Sequence, residues 1–229
     1  MNETLERRAE AVRAWNSTLP GDGVDLYLVR TGDEQTVRIE AFLDALAGLA
    51  PKVRVHRETG EPGALPGIRV PPFWTFHGVP EGTELDPFLD LVTRAVTGEA
   101  GVSDTLRTIL EGVEMPSIVD LYVATQCPNC PRVLGRIAPF PLVNPRIRVR
   151  VFDGVLFSEQ AREQGIRAVP TILLTHGLRY TGQVSAEEVA EGLRQLISLP
   201  SVAQLVLGRL PPGAVAAMIG QMLSLWPPP

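Results

Sequence analysis

One four-residue word occurs twice in this chain. Val24-Asp25-Leu26-Tyr27 opens one apolar run, and Val119-Asp120-Leu121-Tyr122 opens another. A second echo follows in the same order and at nearly the same offset. GIRVPPFWTFHG, from Gly67 to Gly78, answers GIRAVPTILLTHG, from Gly165 to Gly177. Two shared words in one order imply a duplication with a period of about a hundred residues. In a chain of 229 residues that leaves room for two similar units and a short remainder. Whatever one half folds into, the other must fold into as well. The copies differ in their chemistry: Tyr122 leads into Cys127-Pro128-Asn129-Cys130, while Tyr27 leads into Gly32-Asp33-Glu34-Gln35 at the same offset.

Each half alternates short apolar runs with amphipathic segments. In the first, strands are expected over 24–29, 53–56 and 73–76, with helices over 34–49 and 86–96. The helix over 34–49 is expected to bury Val37, Ile39, Phe42, Leu43 and Leu46. In the second half, helices are expected over 103–110, from Pro128 to Ala138, over 157–164, and from Ser185 to Leu199. Strands are expected over 119–124, 147–151, 171–175 and 178–180. Pro139 and Pro141 end the Pro128 helix, and Glu188 stands at a capping-box offset from Ser185. The pattern implies an α/β class, with two fused units forming one continuous mixed sheet flanked by helices. The expected units are 1–100 without the dithiol, 101–199 with it, and a helical tail over 200–229.

Charge narrows the partners. The net charge is -5, which gives no electrostatic case for nucleic acid or an anionic membrane. The first twenty residues are charged and lack an apolar signal core. Leu5, Ala9, Val12 and Trp15 instead recur at helical spacing, predicting one amphipathic helix to about Ser17. The expected location is the cytoplasm. In the tail, apolar faces on either side of Pro211-Pro212-Gly213 predict two short helices. The stretch from Ala214 to Trp226 is too short to cross a bilayer, so no integral membrane segment is expected.

The two cysteines are the only ones in the chain. In a reducing compartment they argue for chemistry rather than a structural staple. A strand, then Cys-x-x-Cys, then a helix places Cys127 where free N–H groups and the helix dipole favour a thiolate. Pro128 suits a first helical turn. Cys130, one turn further in, can resolve a mixed disulfide on Cys127. Val169-Pro170-Thr171 heads a later apolar strand, where a proline conflicts with ladder pairing. A cis bond at Val169–Pro170 in a loop beside the cysteines resolves that conflict. It leaves the Val169 backbone free to pair with an extended partner segment.

Cys127-Pro128-Asn129-Cys130 with Val169-Pro170-Thr171 resembles the thioredoxin fold. The run CPNCPRVLGRIAPFPLVNPRIRVRVFDG, the pair Phe157 and Glu159, Val169-Pro170 and Gly182 narrow the resemblance. With GVPEGTELDPFLDLVTRAVTG they look like the N-terminal domain of the flavoprotein subunit of bacterial alkyl hydroperoxide reductase. Glutaredoxin-like protein disulfide oxidoreductases of hyperthermophiles share the tandem layout but usually keep cysteines in both halves. The resemblance spans about Leu5 to Leu199. It implies a protein disulfide reductase with no bound cofactor, whose redox group is the Cys127–Cys130 disulfide. It also implies a disulfide-bearing protein substrate, with a peroxiredoxin favoured. Pro128 departs from the histidine usual in that family. No Gly-x-Gly-x-x-Gly follows, so a flavoprotein reductase acting in trans is the expected electron donor.

Other readings stand beside this one. The dithiol can run as a protein disulfide oxidase or isomerase, since the reduction potential sets direction. The chain can also be a non-enzymatic adaptor docking through its tail. Zinc needs two more ligands, and the chain has only His56, His77 and His176, none near the pair in sequence. His77 and His176 read as turn residues, and Trp15 and Trp74 as core. Asp120 is a candidate proton acceptor for Cys130. Its copy Asp25, in the half without cysteines, argues against a purely catalytic purpose.

Overall fold

The structure, a computed structural model, describes residues 3–175 and 177–195. The tail over 200–229, the end of the Ser185 helix and His176 lie outside the described residues.

The N-terminal segment forms two helices rather than one, α1 (Glu3–Arg7) and α2 (Ala9–Thr18). Trp15 anchors the second by donating from Nε1 to Thr93 Oγ1 at 2.9 Å. The first half continues with β1 (Val24–Arg30), α3 (Glu34–Leu49), β2 (Val53–Thr59), β3 (Gly67–Val70), β4 (Trp74–His77), a 3-10 turn (Gly82–Glu84) and α4 (Leu85–Thr97). Sequence reading missed β3, whose four residues sit among Gly and Pro and carry no alternation of their own. The second half comprises α5 (Asp104–Glu111), β5 (Ser117–Val123), α6 (Cys130–Ile137), α7 (Phe140–Val143), β6 (Ile147–Asp153), α8 (Ser158–Glu163), β7 (Thr171–Leu174), β8 (Arg179–Thr181) and α9 (Ala186–Arg194). Proline at 139 stops α6, as expected, but the chain re-enters a helix at once as α7.

Local signals explain the helix ends. Asp33 caps α3 by accepting from Thr36 N, and Ser103 caps α5 by accepting from Leu106 N. Ser185 and Glu188 form the reciprocal capping box at α9. Along α3 the buried set is Thr36, Ile39, Phe42, Leu43 and Leu46. Val37 is 65% exposed, so it does not join that face.

All eight strands form one mixed sheet, in the order β2-β1-β3-β4-β6-β5-β7-β8. Each half contributes four neighbouring strands. They join through the parallel pair β4 and β6, from Trp74 opposite Val149 to His77 opposite Phe152. Side chains alternate across the sheet. Leu26, Leu28, Phe76, Val119, Leu121, Val151 and Ile172 face the main core with α3, α4 and α6. Burial of such a side chain contributes about 1.5–3 kcal/mol.

The repeated word now has a structural reason on the other face. Asp25 is opposite Arg54 and Tyr27 opposite His56. Asp120 is opposite Arg150 and Tyr122 opposite Phe152. Both aspartates bond their arginines, and both tyrosines stack on their ring partners, at 4.8 and 5.0 Å between centroids. Asp and Tyr recur because they bridge the parallel strand pair in each half.

Candidate active site

Buried Val123 ends β5, and the chain turns so that Cys127 N donates to Ala124 O at 2.9 Å. Cys127 and Cys130 are joined in a disulfide with Cα atoms 5.5 Å apart. Cys130 is the first residue of α6 and is 0% exposed; Cys127 is half-buried. The helix therefore starts two residues later than Pro128. Pro131, not Pro128, occupies its opening turn, where a missing N–H costs nothing.

The first turn of α6 is left open toward sulfur. Asn129 is the N-cap residue, yet its side chain makes no capping bond. Cys130 N donates to Cys127 Sγ at 3.2 Å instead. In the first half the matching turn is closed, because the Asp33 carboxylate takes Thr36 N at 2.8 Å. The first half carries a depression of about 750 Å³ there, lined by Gly32, Asp33 and Gly60 among others, with no thiol.

Val169–Pro170 is cis, as is Pro71–Pro72 at the matching place in the first half. Cys127 Sγ lies 3.8 Å from the Val169 carbonyl oxygen. Thr171 Oγ1 donates to Ala168 O at 2.8 Å, which pins the loop ahead of β7. On the other flank of the cysteines, a depression of about 290 Å³ is lined by Val79, Glu81, Thr125, Gln126 and Asp153 among others. Pro128 is exposed, and Asn129 is half-buried.

Asp120 is elsewhere. Its side chain alternates with Val119 and Leu121, which share the core cluster with Cys130, so it projects from the opposite sheet face. Arg150 takes both its oxygens, at 2.6 and 2.7 Å.

Sequence reading missed one buried acid, Glu84, which follows a threonine bonded to the cysteine loop. Glu84 is 1% exposed, and neither carboxylate oxygen has a hydrogen-bond partner. Burial, with the nearby Asp153 carboxylate, pushes its pKa up to about 8. It ends the 3-10 turn, which packs against α6. The preceding Thr83 donates through Oγ1 to Thr125 O at 2.9 Å and to Cys127 O at 3.4 Å. Nothing local in Glu81-Gly82-Thr83-Glu84-Leu85-Asp86 marks one acid as buried. His77 also differs from its turn reading. It is a strand residue, stacked on Phe152 at 4.6 Å, with Nδ1 2.9 Å from Pro66 O. Among the described residues, no cluster of three or more His, Cys, Asp or Glu side chains is placed to hold a metal ion, and no helix is long and apolar enough to cross a membrane.

No family model matches the chain. It is 29% identical over 197 residues to the AhpF polypeptide of alkyl hydroperoxide reductase from Pseudomonas aeruginosa, covering 77% of this chain and 36% of that protein. It is 28% identical over 220 residues to an NADH dehydrogenase of Ferdinandcohnia aciditolerans, covering 86% of this chain and 40% of that one. The chain thus spans well under half the length of these curated relatives. In fold it resembles the N-terminal domain of alkyl hydroperoxide reductase AhpF from Enterococcus faecalis, with a TM-score of 0.71 at 19% identity, covering 82% of this chain and 98% of that one. It also resembles a protein disulfide oxidoreductase from Aeropyrum pernix, with a TM-score of 0.75 at 14% identity, covering 86% and 95%. The tandem thioredoxin-like resemblance read from the residues therefore holds, with one dithiol in the second half.

Proposed function

We propose that this chain is a dithiol–disulfide oxidoreductase that reduces disulfides of a protein partner. One observation carries the reading. A half-buried sulfur, Cys127, sits at an open helix start beside the Val169 carbonyl, with Cys130 wholly buried behind it.

The chemistry follows from that arrangement. In the reduced pair, α6 N–H groups favour the thiolate of Cys127. That thiolate attacks one sulfur of the partner disulfide, and the other partner sulfur leaves as a thiolate. Cys130 then loses its proton and attacks Cys127 Sγ. The partner leaves as a dithiol, and the Cys127–Cys130 disulfide is formed with the two electrons gone to the partner. Cys130 has no solvent contact, so its proton needs a buried acceptor. Glu84 fits that role better than Asp120: it is uncommitted, while Asp120 is ion-paired on the far face. The Val169 backbone, with Pro170 and Thr171, is the docking ledge for an extended segment bearing the partner's cysteine.

The relatives' names, an alkyl hydroperoxide reductase component and an NADH dehydrogenase, support a peroxiredoxin as electron acceptor. They also support a flavoprotein disulfide reductase as electron donor.

Trapping tests the roles. Cys130→Ser lacks the resolving thiol and should accumulate mixed disulfides through Cys127, whereas Cys127→Ser should accumulate few. Reversed yields would overturn the assignment of attacker. A measured reduction potential close to that of strongly oxidising catalysts would overturn the direction of flow.

A further inference from the structure

We infer that the depression beside the Val169 ledge, walled by Arg167 and Arg179, is a carboxylate subsite that receives an acidic side chain of the protein partner close to its disulfide cysteine. The inference rests on the reading of Val169 as the docking ledge and adds the chemical class of the segment that docks there.

The depression is joined to the ledge by chain and by hydrogen bonds. It has a volume of about 510 Å³ and is lined by Gly165, Arg167, Ala168, Thr171, Arg179 and Thr181. Arg167 and Ala168 lead directly into Val169, whose carbonyl oxygen lies 3.8 Å from Cys127 Sγ. Thr181 is opposite Thr171 in the β7–β8 pair, and Gly182 N donates to Pro170 O at 2.8 Å. The strand carrying Arg179 is thereby tied to the ledge.

Charge decides what the depression takes. Arg54, Arg57, Arg69, Arg94 and Arg150 each reach a carboxylate. Arg167 and Arg179 reach none among the described residues. Arg179 is held in place all the same: its NH1 donates to Gly165 O at 2.8 Å and its NH2 to Gln164 O at 2.6 Å. Those acceptors are neutral carbonyls, so the charge is oriented without being neutralised, and each nitrogen keeps a second hydrogen to give. Arg167 is exposed and makes no such bond. The chain carries a net charge of -5, so two unmatched cations around one depression form a local site against the overall sign. A guanidinium fork is shaped for a carboxylate.

The opposite sign stands across the cysteine loop, where Glu81 and Asp153 line the depression that includes Thr125 and Gln126. A segment laid along the ledge therefore meets cations toward one end and carboxylates toward the other. That polarity gives the segment a preferred direction, with its acidic residue toward Arg167. Arg167 is two residues from Val169, and an extended partner advances about 3.3 Å per residue. The acid recognised should therefore stand about two residues from the attacked cysteine.

The experiment is single-turnover reduction of matched peptides by the reduced full chain. Each peptide has one cysteine, joined by a disulfide to a blocked cysteine, with Asp, Asn or Lys two residues before or after it. At one of the two positions the Asp peptide should be reduced about fivefold faster than the Asn peptide, the scale of an exposed charge pair. Arg167→Gln should shrink that preference and leave the Asn peptide at its parent rate, which shows the thiol chemistry intact. Arg167→Glu should favour the Lys peptide instead. Equal rates for Asp and Asn at both positions in the parent would overturn the inference, as would an Asp preference that survives in Arg167→Glu. Failure of the parent to reduce any of the peptides would defeat the functional reading beneath the inference, a result distinct from reduction without preference.

Discussion

Asp120 grips Arg150 through both carboxylate oxygens, on the sheet face turned away from Cys130. A bidentate pair with a 15% exposed carboxylate is a structural bond across two parallel strands, not a free base. Asp120→Asn should therefore leave the rate and pH profile of disulfide exchange within about twofold of the parent. It should cost about 1–2 kcal/mol of stability, between surface and buried pairs. Unfolding curves and single-turnover exchange on the same samples check both halves of that statement. A large loss of exchange with little loss of stability would return Asp120 to the reaction.

Glu84 predicts the opposite division. As the acceptor for Cys130, it matters most in the resolving step, after the mixed disulfide has formed. Glu84→Gln should form mixed disulfides at a near-normal rate and release them about a hundredfold more slowly, the scale of a lost general base. Quenched-flow sampling of the mixed disulfide reads the two steps apart. Unchanged release would leave the proton of Cys130 to a different group.

How much of this was legible before the fold is best seen at single residues. Cys127, Cys130 and Pro170 declared themselves, because each needs a particular neighbour in sequence. The repeated Val-Asp-Leu-Tyr was visible as a repeat but not as a ladder. Its meaning lies in register with Arg54 and Arg150, on strands distant in sequence. Val37 fitted helical spacing and still faces solvent, since a period fixes the stripe but not its width. Glu84 left no signal, because only tertiary contacts bury it.

Gly82 makes the seam between the halves testable. It has φ of 55°, and a Cβ there would meet Thr125 O at 2.8 Å, beside the cysteine loop. Gly98 has φ of 72° but open space around it. Gly98→Ala should cost only the backbone strain, about 1 kcal/mol. Gly82→Ala should cost about 1–3 kcal/mol and slow disulfide exchange too, because the carbonyl it displaces precedes Cys127. Equal melting and equal exchange rates in the two variants would mean that the seam does not position the site.

Stability against pH carries the last prediction, since two buried groups pull in opposite directions. Burial lifts Glu84 from 4.5 to about 8, so the folded chain keeps a proton that the unfolded chain gives up. That contribution is intact below pH 4.5 and is lost as pH rises through about 8. Burial lowers His77 from 6.5 to about 4, so the unfolded chain takes a proton first. Stability then falls as pH drops from 6.5 toward about 4. Where the windows overlap, the slopes oppose each other; above pH 6.5 only the Glu84 slope remains, at up to about 1.4 kcal/mol per pH unit. Urea unfolding of the oxidised chain should therefore show Glu84→Gln gaining on the parent as pH rises from about 6.5 to about 8. His77→Gln should be weaker throughout but lose less on acidification than the parent does. A Glu84→Gln variant whose stability tracks the parent in parallel across that range would mean that the carboxyl is not held protonated in the folded chain.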